Sequence, residues 1–319
     1  MELGAIASSR LLDLISKVES KLGQVLPFEV VDKFEGKEDA HLDTRGKIPI
    51  IRILKRKYIV NTEQELAFET EQLIAHEALH LKCKQEGYPQ VGFNRLLWGT
   101  DSAIIFLKNA IQTIVEHNYV YTELEKLGYK AQENGDELEN ALKAKGIFDY
   151  PEPYQHFQQA FHIAETLIYR KYKPSLIEYL SVNMPNIYKT TQQIVDVLKD
   201  APLGPDSARQ AIIRLVYLID KLNPQLNPPA AKRFTVSLVI PADHLKRPAR
   251  EMVRMDQFNI AKRSIYMLML AYTIDDFYFE GLEQTKPFEN KVIKEISKAI
   301  GKKSFHGFLE KFSVPYLAV

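Results

Sequence analysis

Hydrophobic residues near the start of the chain recur at helical spacing and are followed by shorter apolar stretches. Leu11, Ile15, Val18 and Leu22 share one face of a helix, so the spacing predicts a helix over 11–22 that ends at Gly23. The next apolar stretches are rich in Ile and Val and are separated by Gly, Asp and Lys, which predicts strands. These predicted strands cover 28–31, 48–54 and 58–60.

Two longer segments have the pattern of uninterrupted helices. Thr62 and Glu65 have the Thr-x-x-Glu spacing of a capping box, and neither Pro nor Gly follows until Gly87. This pattern predicts a helix over 63–86. A second helix is predicted over 102–127, where Gly128 supplies the stop.

The remaining sequence predicts a mostly helical second region. Pro151 and Pro153 forbid a continuous helix through 148–153, so we expect a domain boundary there, between residues 1–148 and 154–319. A lone strand is predicted over 234–240. The helices predicted beyond the boundary cover 155–171, 174–181, 187–199, 206–221, 248–256, 258–279, 287–299 and 303–312. The predicted fold class is α+β, with a small sheet and two long helices in the N-terminal domain.

Composition and charge exclude several classes of partner and of structure. The chain has 42 Lys and Arg against 41 Asp and Glu, a net charge of +1, which argues against a nucleic-acid partner. Cys83 is the single cysteine, so no internal disulfide can form. We find no signal-peptide pattern and no run of 18 apolar residues, and we therefore expect a cytoplasmic protein without a membrane segment.

The first long helix carries a metal-binding pattern. His76 and His80 flank Glu77 in an HExxH motif, and residues four apart lie on the same helical face. Both imidazoles can therefore reach one Zn²⁺ ion, while Glu77 is placed to act as the general base that accepts a proton from a water molecule.

A catalytic zinc site needs a third protein ligand, and the second long helix offers two candidates. Glu116 shares a helical face with Asn109, Gln112 and Glu123, whereas His117 lies nearer the apolar stripe. We therefore predict Glu116 as the third ligand. His117 is the alternative ligand, or a residue that orients a ligand or contacts the substrate.

With these motifs, residues 25–128 resemble the zincin metallopeptidases. The predicted strands followed by HEALH carry this resemblance, the downstream glutamate is similar to the gluzincin branch, and the ImmA/IrrE group of zinc peptidases is a more distant likeness. The resemblance implies a zincin-like domain in which His76, His80 and Glu116 bind zinc and Glu77 is the general base. Lys82 departs from the apolar residue that many zincins carry there. The sequence after His80 has no third histidine of the metzincin type.

Two functional hypotheses follow. The first is an intracellular zinc metallopeptidase that hydrolyses a protein or peptide substrate, with Tyr119, Tyr121 or His117 as candidate donors to the oxyanion. The second is a zinc-binding sensor or adaptor without peptidase activity, which acts through a protein partner of its C-terminal region. Cys83 is expected to be a buried apolar residue, and the basic cluster over 246–254 is expected to be a solvated face.

Overall fold

The computed structural model describes most of the chain and confirms the α+β class. The described ranges are 6–33, 39–60, 66–93, 102–129, 140, 153–169, 172–199, 201, 203–224, 230–236, 238–240, 242–260, 263–270, 278–283, 287–312 and 316–318. The chain divides into two compact units, residues 1–87 with 116–132 and residues 88–115 with 133–319. The division at 148–153 stays a prediction, because the segment 141–152 lies outside the described residues.

Three helices and one small sheet form the first unit, and the third of these helices begins in the second unit. The helices are α1 (Ser9–Leu22), α2 (Phe68–Gln85) and the later part of α3 (Ser102–Lys126). The strands are β1 (Phe28–Val31), β2 (Ala40–Asp43) and β3 (Ile50–Leu54), and a 3-10 turn follows at Lys55–Lys57. The short strand β2 was not predicted, because a four-residue stretch with two polar residues gives too little pattern.

The sheet of the first unit has the order β1-β3-β2. β1 pairs parallel to β3, and β2 pairs antiparallel to β3 with Leu42 opposite Ile51. Leu42, Ile51 and Ile53 are buried on the face that packs against α2, which places the helix across the sheet. In this sheet β2 is an edge strand.

The helix α2 begins later than predicted. Val60 and Leu66 form an antiparallel bridge, and the Ala67 N–H donates to the Ile59 carbonyl at 2.8 Å. This strand-like pairing keeps Leu66 and Ala67 out of the helix, which starts at Phe68 instead of residue 63. The predicted capping pair Thr62 and Glu65 lies outside the described residues.

A buried carboxylate anchors the first turn of α2. Glu71 accepts hydrogen bonds from the Ser8 hydroxyl at 2.8 Å and from the Tyr129 hydroxyl at 3.4 Å. Arg10 lies 3.6 Å from the same carboxylate, and its guanidinium stacks over the Tyr129 ring. These contacts tie the start of α1 and the residues after α3 to the helix that carries the HExxH motif.

The second unit combines helices with several small sheets. Its described helices after the start of α3 are α4 (Pro153–Tyr169), α5 (Pro174–Asn183), α6 (Pro185–Lys199), α7 (Pro205–Leu222), α8 (Ala230–Arg233), α9 (Ala249–Met252), α10 (Pro287–Lys302) and α11 (Phe305–Lys311). Its described strands are β4 (Val91–Phe93), β5 (Phe234–Val236), β6 (Leu238–Ile240), β7 (Val253–Ile260), β8 (Arg263–Leu270), β9 (Tyr278–Glu283) and β10 (Tyr316–Ala318).

The predicted helix over 258–279 is wrong. Residues in this part of the chain form the antiparallel meander β7-β8-β9, in which Met255 is opposite Leu268 and Met267 is opposite Gly281. A continuous apolar run has no clear periodicity, so the run at 265–270 fits a strand as well as a helix. The strand predicted over 234–240 is confirmed as two short strands, β5 and β6.

Within the described ranges, every helix is either too short or too polar to cross a lipid bilayer.

Candidate metal centre

The two histidines of the HExxH motif lie one turn apart on α2 and face each other. Their Nε2 atoms are 3.2 Å apart. Two nitrogens bound to one tetrahedral zinc at about 2.0–2.1 Å would lie about 3.3–3.4 Å from each other. The spacing of His76 and His80 therefore matches that of two ligands converging on a single ion.

A third imidazole completes the group. His117 on α3 has its ring centroid 5.0 Å from that of His76 and 5.1 Å from that of His80. One ring nitrogen from each of the three histidines lies within 4.8 Å of the others. His117 is 7% exposed, so its imidazole is held inside the protein rather than in solvent. Three nitrogens with this spacing are suited to hold one zinc ion.

Glu116 contacts one of these imidazoles. Its Oε2 lies 2.8 Å from Nδ1 of His80, and the residue is 5% exposed. Because a carboxylate only accepts, Nδ1 carries the proton and Nε2 of the neutral ring keeps its lone pair. Burial lowers the pKa of His80, but the hydrogen bond and the charge of Glu116 outweigh it, so the pKa is raised. This is how a carboxylate orients a metal-binding histidine.

The structure therefore brings all four predicted metal-site residues together, but in two layers. His76, His80 and His117 form the group of converging nitrogens, and Glu116 contacts His80 from the other side of its ring. The prediction that Glu116 itself is the third ligand stays a prediction. The helical wheel placed Glu116 on a polar face, and that face is buried at both Gln112 and Glu116.

The motif glutamate lies beside the edge strand. The backbone N–H of Leu42 in β2 is close to the Glu77 carboxylate and acts to lower its pKa, but this is the smallest of the contributions. Burial raises the pKa of Glu77, and the nearby His80, His41 and His117 oppose part of that increase. Sequence reasoning missed this contact, because a backbone donor on a short strand leaves no residue-type signal.

The three candidate oxyanion donors differ in position. The Tyr121 ring packs edge-on against His117 at 5.0 Å and against His76 at 5.6 Å between centroids. Tyr119 lies beside Lys82, whose Nζ is 5.4 Å from the centre of its ring, and burial raises the pKa of the Tyr119 hydroxyl. The structure therefore brings the Tyr121 and His117 rings to the candidate metal centre, and it places Tyr119 against Lys82.

Lys82 and Cys83, which lie just after the HExxH motif, are both explained by the residues around them. Lys82 lies 2.9 Å from Glu123 and 3.5 Å from Glu86, so its charge is compensated although zincins often carry an apolar residue there. Burial lowers the pKa of Lys82, and these carboxylates raise it by more. Cys83 is buried, as predicted, and burial raises the pKa of its thiol far above the usual range.

Comparison of this chain with protein-family models, with curated proteins and with solved structures found no match. Any function of this chain is therefore inferred from the residues of the site and their geometry.

Proposed function

We propose that this protein is a zinc-dependent hydrolase that cleaves peptide bonds, with the metal held by His76, His80 and His117. The observation that carries the proposal is the convergence of three imidazoles beside a carboxylate that fixes the tautomer of one of them. Three protein ligands leave one position of a tetrahedral zinc open, which is the arrangement of catalytic rather than structural sites.

The residues around the three histidines support hydrolytic chemistry. Zinc in such a site polarises a carbonyl group and lowers the pKa of a water molecule to about 7. Burial raises the pKa of Glu77 and so brings it closer to neutral pH, where a general base works best. Glu77 can then accept the water proton on its carboxylate and pass that proton to the leaving amine. With His117 used as a ligand, Tyr121, whose ring packs against His117 and His76, is the remaining candidate donor to the developing oxyanion.

The edge strand supports a peptide as the substrate. β2 pairs with β3 on one side, and its other side faces Glu77 through the Leu42 N–H. An extended peptide binds such an edge through main-chain hydrogen bonds, which would bring a scissile amide next to the general base. This is the substrate class that the resemblance to zincins implies, and a histidine in the third position sets the proposed site apart from a gluzincin.

A single substitution tests the catalytic role. Glu77→Gln keeps the size of the side chain and removes its basicity, so we expect loss of peptide cleavage with zinc still bound. Glu69→Gln is the matched control, because Glu69 is an exposed residue on the same helix. Cleavage is followed by mass spectrometry on labelled casein and on a library of unstructured peptides, using the zinc-loaded full chain.

The result also decides between hydrolase and sensor. If the wild type cleaves and Glu77→Gln does so equally well, the proposed mechanism is wrong. If zinc-loaded wild type cleaves nothing in the library, the zinc-binding sensor becomes the better account. Lys82, whose departure from the zincin pattern favoured the sensor, is paired with Glu123, which gives that departure a structural reason.

A further inference from the structure

The C-terminal part of the second unit carries a row of exposed cations. Lys294, Lys298 and Lys302 follow one another at four-residue intervals along α10, and all three are exposed. Residues four apart on a helix are neighbours on one face, displaced by about 6 Å along the axis. The helix therefore presents three ammonium groups in a regular line.

Backbone hydrogen bonds extend this row with residues from a distant part of the sequence. The Ala249 N–H donates to the Lys303 carbonyl at 2.8 Å, and the Phe305 N–H donates to the Arg247 carbonyl at 2.8 Å. The segment before α9 therefore lies beside the end of α10. We call the resulting set the basic surface, and its six exposed members are Lys246, Arg247, Lys294, Lys298, Lys302 and Lys303.

The basic surface has few counter-charges. Among the described residues, one acidic side chain lies within ion-pair distance of it, Asp243, at 3.9 Å from Arg247. In the first unit, by contrast, Arg52 and Lys82 have carboxylates within 3 Å. Residues 242–255 and 293–312 hold nine Lys and Arg against four Asp and Glu, whereas the whole chain is nearly balanced. Neighbouring cations repel one another, which lowers the stability of the fold, and the packing of the fold does not depend on them.

A buried core holds the basic surface in place. Met252, Ile296, Ala299 and Phe305 are buried in one cluster beneath the two segments. The backbone positions of the cations are therefore fixed before any partner binds, which reduces the entropy that binding must overcome.

We infer that the basic surface binds an extended acidic segment of a partner protein. Alternate side chains of an extended chain lie about 6.6–6.8 Å apart on one side, close to the spacing of the lysines along α10. Phe305 and Phe308 are buried, so neither offers a surface on which nucleic-acid bases stack. The near-zero net charge of the chain also gives little long-range attraction to a duplex.

A binding measurement with defined peptides tests the inference. The probe is a fluorescent peptide of about twelve residues in which Asp alternates with Ser, with an Asn–Ser peptide as the neutral control. Fluorescence anisotropy with the full chain should show binding of the acidic peptide that weakens as NaCl rises from about 50 to 300 mM. The double variant Lys298→Gln/Lys302→Gln should lose affinity on the order of five- to tenfold, as expected for two exposed ion pairs.

The control variant is Lys17→Gln/Lys21→Gln, which removes two exposed lysines at the same spacing on α1 and should bind the peptide normally. Circular dichroism of each variant confirms that it is folded. The inference is overturned if the acidic peptide does not bind, if both double variants lose affinity equally, or if random duplex DNA binds more tightly through Lys298 and Lys302. His76→Ala should bind the peptide as the wild type does, so this test is independent of the metal centre.

Discussion

The carboxylate of Glu116 offers a sharp test of how the proposed metal centre is built. It accepts the hydrogen bond of His80 Nδ1 at 2.8 Å and is almost fully buried, so no water can easily replace it. Glu116→Ala would free His80 to place its proton on Nε2, which takes that nitrogen out of the ligand set. Loss of such an orienting partner lowers metal affinity about 10- to 100-fold. Glu116→Gln keeps an oxygen acceptor and should lose less.

Zinc affinity is measured by competition with a chromophoric chelator near neutral pH. Glu125→Gln is the control, because Glu125 is an exposed glutamate on the same helix. His80→Ala and His117→Ala set the scale for the loss of a true ligand, and Glu116→Ala should bind more tightly than either. If Glu116→Ala binds as weakly as His80→Ala while His117→Ala binds normally, then Glu116 is the third ligand and the proposed arrangement is wrong.

The same variants should differ in their pH dependence. Glu116 raises the pKa of His80 in the metal-free protein, so in the wild type protons begin to compete with zinc at a higher pH. Removing Glu116 lowers that pKa, and competition then begins at a lower pH. The affinity difference between wild type and Glu116→Ala should therefore shrink as the pH falls, and a difference that grows would contradict this role.

Three further predictions concern buried side chains and the stability of the fold. Cys83 should react with a maleimide far more slowly in the native than in the unfolded protein, since it is buried and burial raises its thiol pKa; fast native labelling would count against this packing. Glu71→Gln should lower the free energy of unfolding in urea by about 1–3 kcal/mol, because an amide cannot accept from all the donors around it, and an unchanged midpoint would argue against the network. Burial lowers the pKa of His156, so the unfolded state binds more protons and stability should fall as the pH drops below about 6.5. His156→Gln should flatten that fall relative to the wild type, and equal slopes would refute the assignment.

Local signals were enough to predict the helices that carry the site. Glycines with positive φ follow both long helices, at Gly87 and Gly128, and the predicted ends lie within one residue of the observed ones. The beginning of α2 was missed because a bridge between Val60 and Leu66 competes with the helix, and that competition depends on tertiary pairing rather than on propensity.

The candidate site was predictable only in part, for a similar reason. The i, i+4 spacing of His76 and His80 is a local property, so the sequence alone indicated that their rings share a face. Glu116 and His117 are adjacent on α3, and the wheel could show that they point in different directions. It could not show which of them lies beside the ring nitrogens of His76 and His80 and which accepts the hydrogen bond from Nδ1 of His80. That depends on the placement of α3 beside α2.

The central claim is a zinc centre made of three imidazoles, and zinc content measures it most directly. Elemental analysis of untagged protein should find about one zinc per chain, lost in both His76→Ala and His117→Ala. His162→Ala, which removes an exposed histidine of α4, should retain it. Wild-type protein that holds no zinc even after reconstitution, or His117→Ala that retains a full equivalent, would contradict the account.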